Sequence, residues 1–218
     1  MAQGLSVVLP VYNNAPVLGE LCRRIREAVP DRELEIVMVD DASSDNSLAV
    51  MRELPVRVLA KRVNGGQNRA ILAGLSQATQ PLACVMDADL EDPPEAIPEL
   101  VARLERGDVG VVFATRETRS PLTSRGFRWI MRRIFPSLRG VPCLFFAVSR
   151  EARLALLMLA RDGDYVVAAL GALGLPTASV AVKRAQRPAG TSSYGTRKRV
   201  VYAASALISA LRLRRRRA

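Results

Sequence analysis

Histidine is absent from this chain of 218 residues. Its absence excludes a serine–histidine catalytic pair, a histidine general base and a metal site ligated by imidazole. Any chemistry must therefore use carboxylates, arginines, hydroxyl groups and a hard metal ion that prefers oxygen ligands.

Cysteines and long apolar runs are also scarce. Cys22, Cys84 and Cys143 lie far apart and without CxxC spacing, so we expect buried, reduced thiols of a cytosolic protein rather than disulfides or a zinc site. No apolar run reaches the roughly 18–20 residues that span a bilayer. The N-terminus lacks the basic start of a signal peptide, and we therefore expect a cytoplasmic protein.

Charge is plentiful but unevenly distributed. Residues 1–110 contain 11 basic and 17 acidic residues, a net charge of −6, whereas residues 111–218 contain 21 basic and 4 acidic residues, a net charge of +17. The basic half suits an anionic partner such as phosphate, nucleic acid or an anionic membrane. Together the two halves predict a cation site beside an anionic partner.

Strand-like and helix-like segments alternate along the first half of the chain. The β-branched runs LSVVLP, EIVMVD, VRVLA, PLACVMD and DVGVVFAT are predicted strands with short helices between them. This alternation is typical of a wound α/β sheet. Beyond Arg116 it loosens, and we expect helices at FRWIMRRIF and REARLALLML, strands at CLFFAVS and TASVAVKR, and a helix from Thr196 onward.

Polar segments follow each of the first four predicted strands: PVYNN, DDASSD, NGGQ and DADLED. Open α/β sheets bind ligands at the carboxyl ends of their strands. These four segments are therefore predicted to converge on one binding site.

The stretch 85–95 contains five acidic residues directly behind an apolar run. In an extended chain Asp87, Asp89 and Glu91 lie on one side, where Mg²⁺ or Mn²⁺ finds hard oxygen ligands and keeps positions open for a diphosphate. The competing interpretation is that these acids stabilise the start of the next helix. We favour that interpretation for Asp92 and Glu95, and metal binding for Asp87 and Asp89.

Asp40 and Asp41 close the second predicted strand. Carboxylates at this position can accept hydrogen bonds from a nucleotide base or a ribose hydroxyl. For the following residues, Ser43, Ser44 and Asp45, capping of the next helix is the expected role.

The order of these motifs resembles the family 2 glycosyltransferases with a GT-A fold. The late segment RPAGTSSY resembles an R-x-x-G-x-S-K-Y signature of their polyprenyl-phosphate subgroup, and the similarity runs from about Ser6 to about Tyr194. The resemblance implies a GT-A domain over 1–195, a Rossmann-like wound mixed β-sheet flanked by helices. An amphipathic basic helix and tail are expected over 196–218.

The resemblance also implies site residues, position by position. The metal, Mg²⁺ or Mn²⁺, would be held by Asp87, Asp89 and Glu91, and catalysis would involve Asp89, Arg116 and Arg125. The nucleotide-sugar would contact Pro10, Tyr12, Asp40, Asp41, Gln67, Asp87, Ala88 and Asp89. The acceptor phosphate would contact Arg116, Arg119, Arg125, Arg187, Ser192 and Tyr194.

Three positions depart from the pattern of the family. Residues 13–14 are Asn-Asn where relatives commonly have Asn-Glu, and Ser193 stands where a lysine is usual. The segment 160–165, ARDGDY, is only loosely similar to the acidic stretch of relatives.

The implied function is inverting transfer of a sugar from a UDP- or GDP-sugar to a membrane polyprenyl phosphate. A phosphate acceptor is already ionised at neutral pH, because its second pKa is about 6, and it needs no histidine base. The first alternative is transfer to a saccharide hydroxyl, which requires a carboxylate base. Asp162 and Asp164 are the candidates for that base, although we expect both to be solvated loop acids.

The second alternative is an inactive nucleotide-fold protein that binds anionic partners through its basic half. Aromatic residues make up only 5% of the chain, which counts against recognition of nucleic acid by stacking. We therefore expect a nucleotide-sugar, a polyprenyl phosphate and an anionic membrane as partners, and no nucleic acid.

The C-terminal segment has the pattern of an amphipathic helix. Its apolar residues Val200, Ala204, Leu207, Ile208 and Leu211 share one predicted face, with basic residues at both ends. This pattern favours an interfacial helix on anionic lipid, at the inner face of the membrane. The competing interpretation is a helix that packs on the core and carries a solvated basic tail.

Overall fold

The computed structural model describes residues 2–116, 131, 133–138, 143–183, 207–213, 215 and 216. The described strands are β1 (Leu5–Val11), β2 (Leu34–Asp40), β3 (Arg57–Ala60), β4 (Leu82–Val85), β5 (Val111–Arg116), β6 (Phe146–Ser149) and β7 (Thr177–Val182). The α-helices with defined bounds are α1 (Leu18–Ala28), α2 (Ser47–Glu53), α3 (Gln67–Gln77), α4 (Ile97–Leu104), α5 (Arg150–Leu159) and α6 (Val166–Ala172). Residues 207–213 are also helical, as are 215 and 216, and are called the C-terminal helix below.

The seven strands form one mixed sheet in the order β3-β2-β1-β4-β6-β5-β7. Strands β1 to β4 are mutually parallel, β6 is antiparallel to both β4 and β5, and β5 is parallel to β7. Because β6 is antiparallel to both of its neighbours, β5 and β7 run in the same direction as β1 to β4. The carboxyl ends of all these strands except β6 therefore meet at one edge of the sheet, called the carboxyl edge below.

The hydrophobic core lies in two layers, one on each face of the sheet. In β1 every residue is buried, and successive side chains alternate between the layers: Val7 and Leu9 face one layer and Val8 faces the other. Helices α1, α2 and α4 cover the first layer, and α3, α5, α6 and the C-terminal helix cover the second. This arrangement explains why β1 is a continuous apolar run, as expected for a strand covered on both faces.

Most of the predicted elements are confirmed. The five strands of the first half, the helix REARLALLML and the strands at CLFFAVS and TASVAVKR are present within three residues of their predicted bounds. Of the predicted helix FRWIMRRIF, residues 131, 133 and 134 are helical, Phe135 lies just beyond the helix, and the others lie outside the described residues. All three cysteines are free thiols, although Cys143 is partly exposed rather than buried.

Helix α3 approaches the sheet closely because it carries a glycine where it crosses β1 and β2. A Cβ atom on Gly74 would lie 2.3 Å from Cγ1 of Val8 and 3.0 Å from Cγ2 of Val39. Such a contact forces the helix or the valines to shift, since both valines are fully buried. The position of α3 matters for function because its first residue, Gln67, lies at the carboxyl edge.

Replacing Gly74 tests this close packing. We expect Gly74→Ala to lower the free energy of unfolding by about 1–3 kcal/mol, the usual cost of overpacking a tight core. Gly19→Ala is the matched control, because Gly19 lies in α1 with no atom near the new Cβ, and it is expected to stabilise by up to about 1 kcal/mol. Urea unfolding of both variants measures the difference, and equal midpoints would contradict the packing argument.

Candidate active site

The loops after β1 and β2 are joined through Asn13. Its backbone amide donates to Ser43 Oγ (3.0 Å), its side-chain amide donates to Ser44 Oγ (3.2 Å), and its Oδ1 accepts from the Ser44 amide (2.8 Å). Ser43 and Ser44 are therefore occupied by Asn13 rather than by the helix cap predicted for them. Asp45 does act near the start of α2, because its Oδ1 accepts from the Ser47 amide (2.9 Å).

Three non-glycine residues at the carboxyl edge have positive φ angles: Asn13 (55°), Ala42 (59°) and Leu90 (61°). They follow β1, β2 and β4 respectively, so each of the three loops contains one strained residue. Strain of this kind costs on the order of 1–3 kcal/mol and is concentrated at ligand-binding sites. Its location therefore agrees with a binding site at this edge.

Asp41 organises the loop 61–66. Its buried carboxylate forms an ion pair with Lys61 and accepts from the backbone amides of Gly65 (3.0 Å) and Gly66 (2.7 Å). Burial on its own raises the pKa of Asp41, but the bonds from Lys61, Gly65 and Gly66 outweigh it, and the pKa lies below its ordinary value. Both carboxylate oxygens thus hold the loop that begins α3, and contact of Asp41 with a nucleoside stays a prediction.

Asp40 and Tyr12 both lie where β1 and β2 end. Asp40 pairs with Val11 in the parallel register of the two strands, and Tyr12 is the first residue beyond β1. Asp40 is buried and its Oδ1 accepts from the Ser43 amide (3.2 Å), whereas Tyr12 is half exposed. Pro10 is buried within β1, two residues before Tyr12.

The acidic segment after β4 does not continue as an extended strand. Residues 88–92 bend, and the predicted extended geometry is wrong there. Asp87, Asp89 and Glu91 are half-buried, whereas Ala88, Leu90 and Asp92 are buried, and a common side for the three acids stays a prediction. The bend is stabilised by the Glu91 amide, which donates to Asp89 Oδ1 (3.0 Å).

Gln67 connects α3 to this acidic segment. Its side-chain amide donates to Asp87 Oδ1 at 2.5 Å, so two of the residues predicted to bind the nucleotide-sugar are in direct contact. Gln67 is the first residue of α3, directly after Gly66, whose φ of +84° is a conformation that favours glycine. The NGGQ motif therefore serves both to turn the chain and to hold Asp87.

The acids that were assigned to the next helix have different surroundings. Glu95 lies in the first turn of the short 3₁₀ helix Pro94–Ala96, and its carboxylate accepts two hydrogen bonds from Arg24 (2.8 and 2.7 Å). Asp92 is buried, and neither the 3₁₀ helix nor α4 has a side-chain hydrogen bond at its N-cap. The N-cap residues of these two helices are Pro93 and Ala96, so a role for Asp92 at the helix start stays a prediction.

Within the described ranges, no group of three or more Asp, Glu, Cys or His residues converges in a way that could hold a metal ion. Asp87, Asp89 and Glu91 therefore do not form a three-carboxylate metal site by themselves in the described structure. A metal at Asp87 and Asp89 would need further oxygen ligands, such as those of a diphosphate.

The predicted phosphate-binding residues lie largely outside the described residues. Arg116 ends β5 at the carboxyl edge, on the same edge as Asp87. Arg119, Arg125, Arg187, Ser192 and Tyr194 lie outside the described residues, as does Ser193.

Asp162 and Asp164 differ sharply in environment. Asp162 is 86% exposed and lies 3.7 Å from Arg69, as expected for a solvated loop acid. Asp164 is only 5% exposed and forms a 2.7 Å ion pair with Arg216. The expectation of a solvated acid is wrong for Asp164, because the C-terminal helix packs over it.

The C-terminal helix faces differ from those predicted. Ala210 and Leu213 are fully buried in the second core layer, and Leu207 packs against the same layer. Ile208 and Leu211 are half exposed and point away from it. The helix therefore packs on the core with one face, as the competing interpretation expects, and leaves Ile208 and Leu211 exposed on the other. Contact of that exposed face with lipid stays a prediction. Val200 and Ala204 lie outside the described residues.

Sequence reasoning missed Asn13, Lys61 and Asn68, which hold the loops of the edge together. Asn13 joins two loops, Lys61 neutralises Asp41, and the Asn68 side chain accepts from the Val166 amide (3.0 Å). The KRVNGGQNR segment contains two of them, and its density of polar residues after a strand was the available signal.

Comparison with known proteins identifies the family. Residues 6–149 match the model of glycosyl transferase family 2. That match covers more than half of the chain, so the chain belongs to glycosyl transferase family 2.

Curated relatives narrow the comparison. The chain is 35% identical to an undecaprenyl-phosphate 4-deoxy-4-formamido-L-arabinose transferase of Edwardsiella ictaluri, over 90% of this chain and 64% of the relative. It is 33% identical to the transferase of the same name from Pseudomonas fluorescens, over 88% of this chain and 60% of the relative. The chain thus spans less than two thirds of the length of either relative.

Solved structures confirm the GT-A fold. Glucosyl-3-phosphoglycerate synthase from Mycobacterium tuberculosis, in complex with Mn²⁺, UDP and glucosyl-3-phosphoglycerate, has a TM-score of 0.75 and 19% identity, over 97% of this chain and 80% of that one. Mannosyl-3-phosphoglycerate synthase from Rubrobacter xylanophilus has a TM-score of 0.75 and 20% identity, over 98% of this chain and 74% of that one.

Replacement of Asp41 tests its role in the loop. We expect Asp41→Asn to lower the free energy of unfolding at pH 7 by about 3 kcal/mol, because the ion pair is lost and two amides lose a charged acceptor. The exposed Asp31→Asn is the control, with an expected change within about 0.5 kcal/mol. Urea unfolding at pH 7 measures both.

The pH dependence gives a second measurement on the same variant. Because the folded pKa of Asp41 is lowered, its stabilisation is complete above the unfolded pKa of about 4 and disappears as the pH falls through the folded value. The difference in free energy of unfolding between the parent protein and Asp41→Asn is therefore expected to decrease below about pH 4. A difference in free energy of unfolding that stays constant down to pH 2 would contradict this role of the Asp41 charge.

Proposed function

We propose that this chain is an inverting, metal-dependent glycosyltransferase that moves a sugar from a UDP- or GDP-sugar to a membrane polyprenyl phosphate. The observation that carries the proposal is the convergence at the carboxyl edge of the loops after β1, β2 and β4 with the start of α3. The names of the curated relatives, both undecaprenyl-phosphate transferases, support a lipid phosphate as the acceptor.

The donor nucleotide lies across the ends of β1 and β2 in this proposal. The half-exposed ring of Tyr12 offers a stacking surface for the base, and the neighbouring Asp40 carboxylate accepts from the base or the ribose. Asp41 acts indirectly, by holding the loop 61–66 that starts α3. The diphosphate then reaches the acidic segment after β4, beside Ala88 and Gln67.

The donor chemistry of the acidic segment fits a hard divalent cation. Asp87 and Asp89 would hold Mg²⁺ or Mn²⁺, with Glu91 as the third predicted ligand, and oxygens of the diphosphate would complete the coordination. When bound, the metal neutralises negative charge that develops on the departing nucleoside diphosphate. A protein of the same fold was solved in complex with Mn²⁺ and UDP, and this supports the choice of ion.

The acceptor phosphate approaches from the basic half of the chain. Arg116 ends β5 at the same edge as Asp87, and Arg119 and Arg125 follow it in sequence. Arginine side chains bind phosphate oxygens through two parallel hydrogen bonds. The later residues Arg187, Ser192 and Tyr194 follow β7, which ends at this edge as well.

The reaction is a direct displacement at the anomeric carbon. An ionised phosphate oxygen forms a bond to that carbon while the bond to the nucleoside diphosphate breaks, which inverts the configuration. The transition state has oxocarbenium character, and Asp89, Arg116 and Arg125 serve to position and neutralise the two phosphorylated groups. The nucleophile has no proton to lose, so the lack of histidine is no obstacle.

The alternative acceptor, a saccharide hydroxyl, finds little support among the described acids. Asp164 is buried against Arg216, which leaves its carboxylate unsuited to take a proton from a substrate. Asp162 is exposed beside Arg69 and is the remaining candidate base of the segment 160–165.

The membrane contact is assigned to the outward face of the C-terminal helix. Leu211 and Arg212 lie three and four residues after Ile208, Arg215 lies three residues after Arg212, and all four are exposed. Apolar residues beside arginines suit the surface of an anionic bilayer, which is typical of the inner leaflet. None of the described helices is long and apolar enough to cross a membrane.

Replacement of Asp89 tests the donor site. We expect Asp89→Asn to lower sugar transfer from UDP- or GDP-sugars to extracted polyprenyl phosphate by about 100-fold or more, a typical loss for one electrostatic group. The amide retains the acceptor for the Glu91 amide, so the fold is expected to survive. The assay is run with and without Mn²⁺, and absence of any lipid-linked product with every donor would refute the proposal.

Asp162→Asn is the matched control and also separates the two acceptors. Transfer to a phosphate needs no base, so we expect activity within about twofold of the parent protein. Loss of activity in Asp162→Asn would instead favour a hydroxyl acceptor with Asp162 as its base.

Removal of the outward face tests membrane contact. Arg212→Gln/Arg215→Gln is expected to weaken sedimentation with vesicles of anionic lipid by about 30-fold, because each basic residue contributes about 1 kcal/mol. Ile208→Ser/Leu211→Ser removes the apolar part and is expected to weaken binding at high salt as well. Leu154→Ser/Met158→Ser is the control, since these residues of α5 are 50% and 89% exposed. Equal loss in the control would contradict the assignment.

A further inference from the structure

The inward face of the C-terminal helix carries both apolar and polar contacts. Ser209, Ala210, Leu213 and Arg216 share it, at spacings of one, three and three residues along the chain. Ala210 and Leu213 are fully buried and Ser209 is 4% exposed. The two polar residues of this face, Ser209 and Arg216, both contact Asp164.

Asp164 is surrounded by donors. Its Oδ2 accepts from the Arg161 amide (3.0 Å) and from Arg216 Nη1 (2.7 Å), and its Oδ1 accepts from Ser209 Oγ (3.3 Å). Ser209 Oγ in turn accepts from the Tyr165 amide (2.9 Å). A carboxylate that is 5% exposed needs such a counter-charge, and here residues of the C-terminal helix supply the charge and two of the three hydrogen bonds.

The same loop contacts the start of α3. The Val166 amide, two residues after Asp164, donates to Asn68 Oδ1 (3.0 Å). Asn68 is the second residue of α3 and follows Gln67, whose side chain donates to Asp87 Oδ1. A continuous series of short contacts thus leads from the C-terminal helix through residues 164–166 and the first turn of α3 to Asp87.

We propose that Asp164 is a positioning residue that joins the C-terminal helix to the loop 161–166. This junction fixes the first turn of α3, and the first turn of α3 in turn fixes the Asp87 carboxylate of the proposed donor site. The carboxylate touches no substrate in this arrangement. The inference rests on the proposed function for the role of Asp87, whereas its structural part, the link from Arg216 to α3, stands without it.

The outward face of the helix remains open while the junction is formed. Ile208, Leu211, Arg212 and Arg215 do not take part in the contacts with Asp164. The helix can therefore bind lipid and hold Asp164 at once, so that one element serves both the membrane contact and the donor site.

Hydrogen exchange on the full chain without ligand tests the structural part. Arg216→Gln removes the counter-charge, Ser209→Ala is a milder change, and Asn68→Ala breaks the last contact. All three are expected to raise amide exchange in peptides covering residues 64–77, where the Ala70 amide donates to Gly66 (3.2 Å). Arg103→Gln is the matched control, because it breaks a 2.6 Å arginine–aspartate pair with Asp108 at the opposite edge of the sheet, and it is expected to leave this region unchanged.

Nucleoside diphosphate binding tests the functional part. The probe is UDP or GDP with Mn²⁺, whichever gives the parent protein the larger thermal shift, titrated by calorimetry at a temperature at which every variant is folded. Arg216→Gln, Ser209→Ala and Asn68→Ala are expected to bind it about fivefold to tenfold more weakly. Arg103→Gln is expected to bind like the parent protein even if its melting temperature falls.

The outcomes are distinguishable. Unchanged exchange in residues 64–77 for Arg216→Gln and Asn68→Ala would overturn the inference. Raised exchange with unchanged binding would reduce Asp164 to a purely structural residue and overturn its positioning role. A parent protein that binds neither UDP nor GDP would refute the proposed function, while the exchange measurement would still decide whether the link from Arg216 to α3 exists.

Discussion

A carboxylate that leaves water must find a positive charge and hydrogen-bond donors, because desolvation of an ion costs several kcal/mol. Two buried carboxylates of this chain meet that requirement in the same way. Asp41 is neutralised by Lys61 and two glycine amides, and Asp164 by Arg216, the Arg161 amide and a serine hydroxyl. Each of these carboxylates holds a segment that is distant in sequence: Asp41 holds the loop 61–66, and Asp164 holds the C-terminal helix.

The contacts of Asp41 determine how the loops are arranged at the carboxyl edge. Asp41 fixes the loop 61–66, which places the first turn of α3 beside the segment after β4. Asn13 performs the corresponding task between the loops after β1 and β2. The acids of this edge are therefore held by the chain itself, and their mutual repulsion is offset by local donors before any cation binds.

The fold was predictable because its signals are local. Apolar runs of four to eight residues bounded by Pro, Gly and Asp mark the strands, and their alternation with helices restricts the topology. The position of the candidate site was predicted from the rule that open α/β sheets bind ligands at the carboxyl ends of their strands. What each carboxylate does was less accessible: Asp40 and Asp41 are adjacent in sequence, yet one accepts from Ser43 in its own loop and the other organises a loop 20 or more residues away.

Asp164 shows the same limit more clearly. In the sequence it is a loop acid among Arg, Asp and Gly, a composition typical of solvated turns. Its burial depends on Ser209 and Arg216, which are 45 and 52 residues further along the chain. Periodicity could place apolar residues of the C-terminal helix on a face, but only tertiary contacts determine which face meets the core.

The late position of Arg216 has a consequence for biosynthesis. The strands of the sheet lie before residue 183, so the sheet can assemble on the ribosome while Asp164 still lacks its cation. During that interval the nascent domain retains water around the carboxylate and leaves the second core layer uncovered where Ala210 and Leu213 will pack. Packing of this part of the second core layer thus waits for the C-terminal helix to emerge, and until then Ala168 and its neighbours stay open to chaperones and proteases.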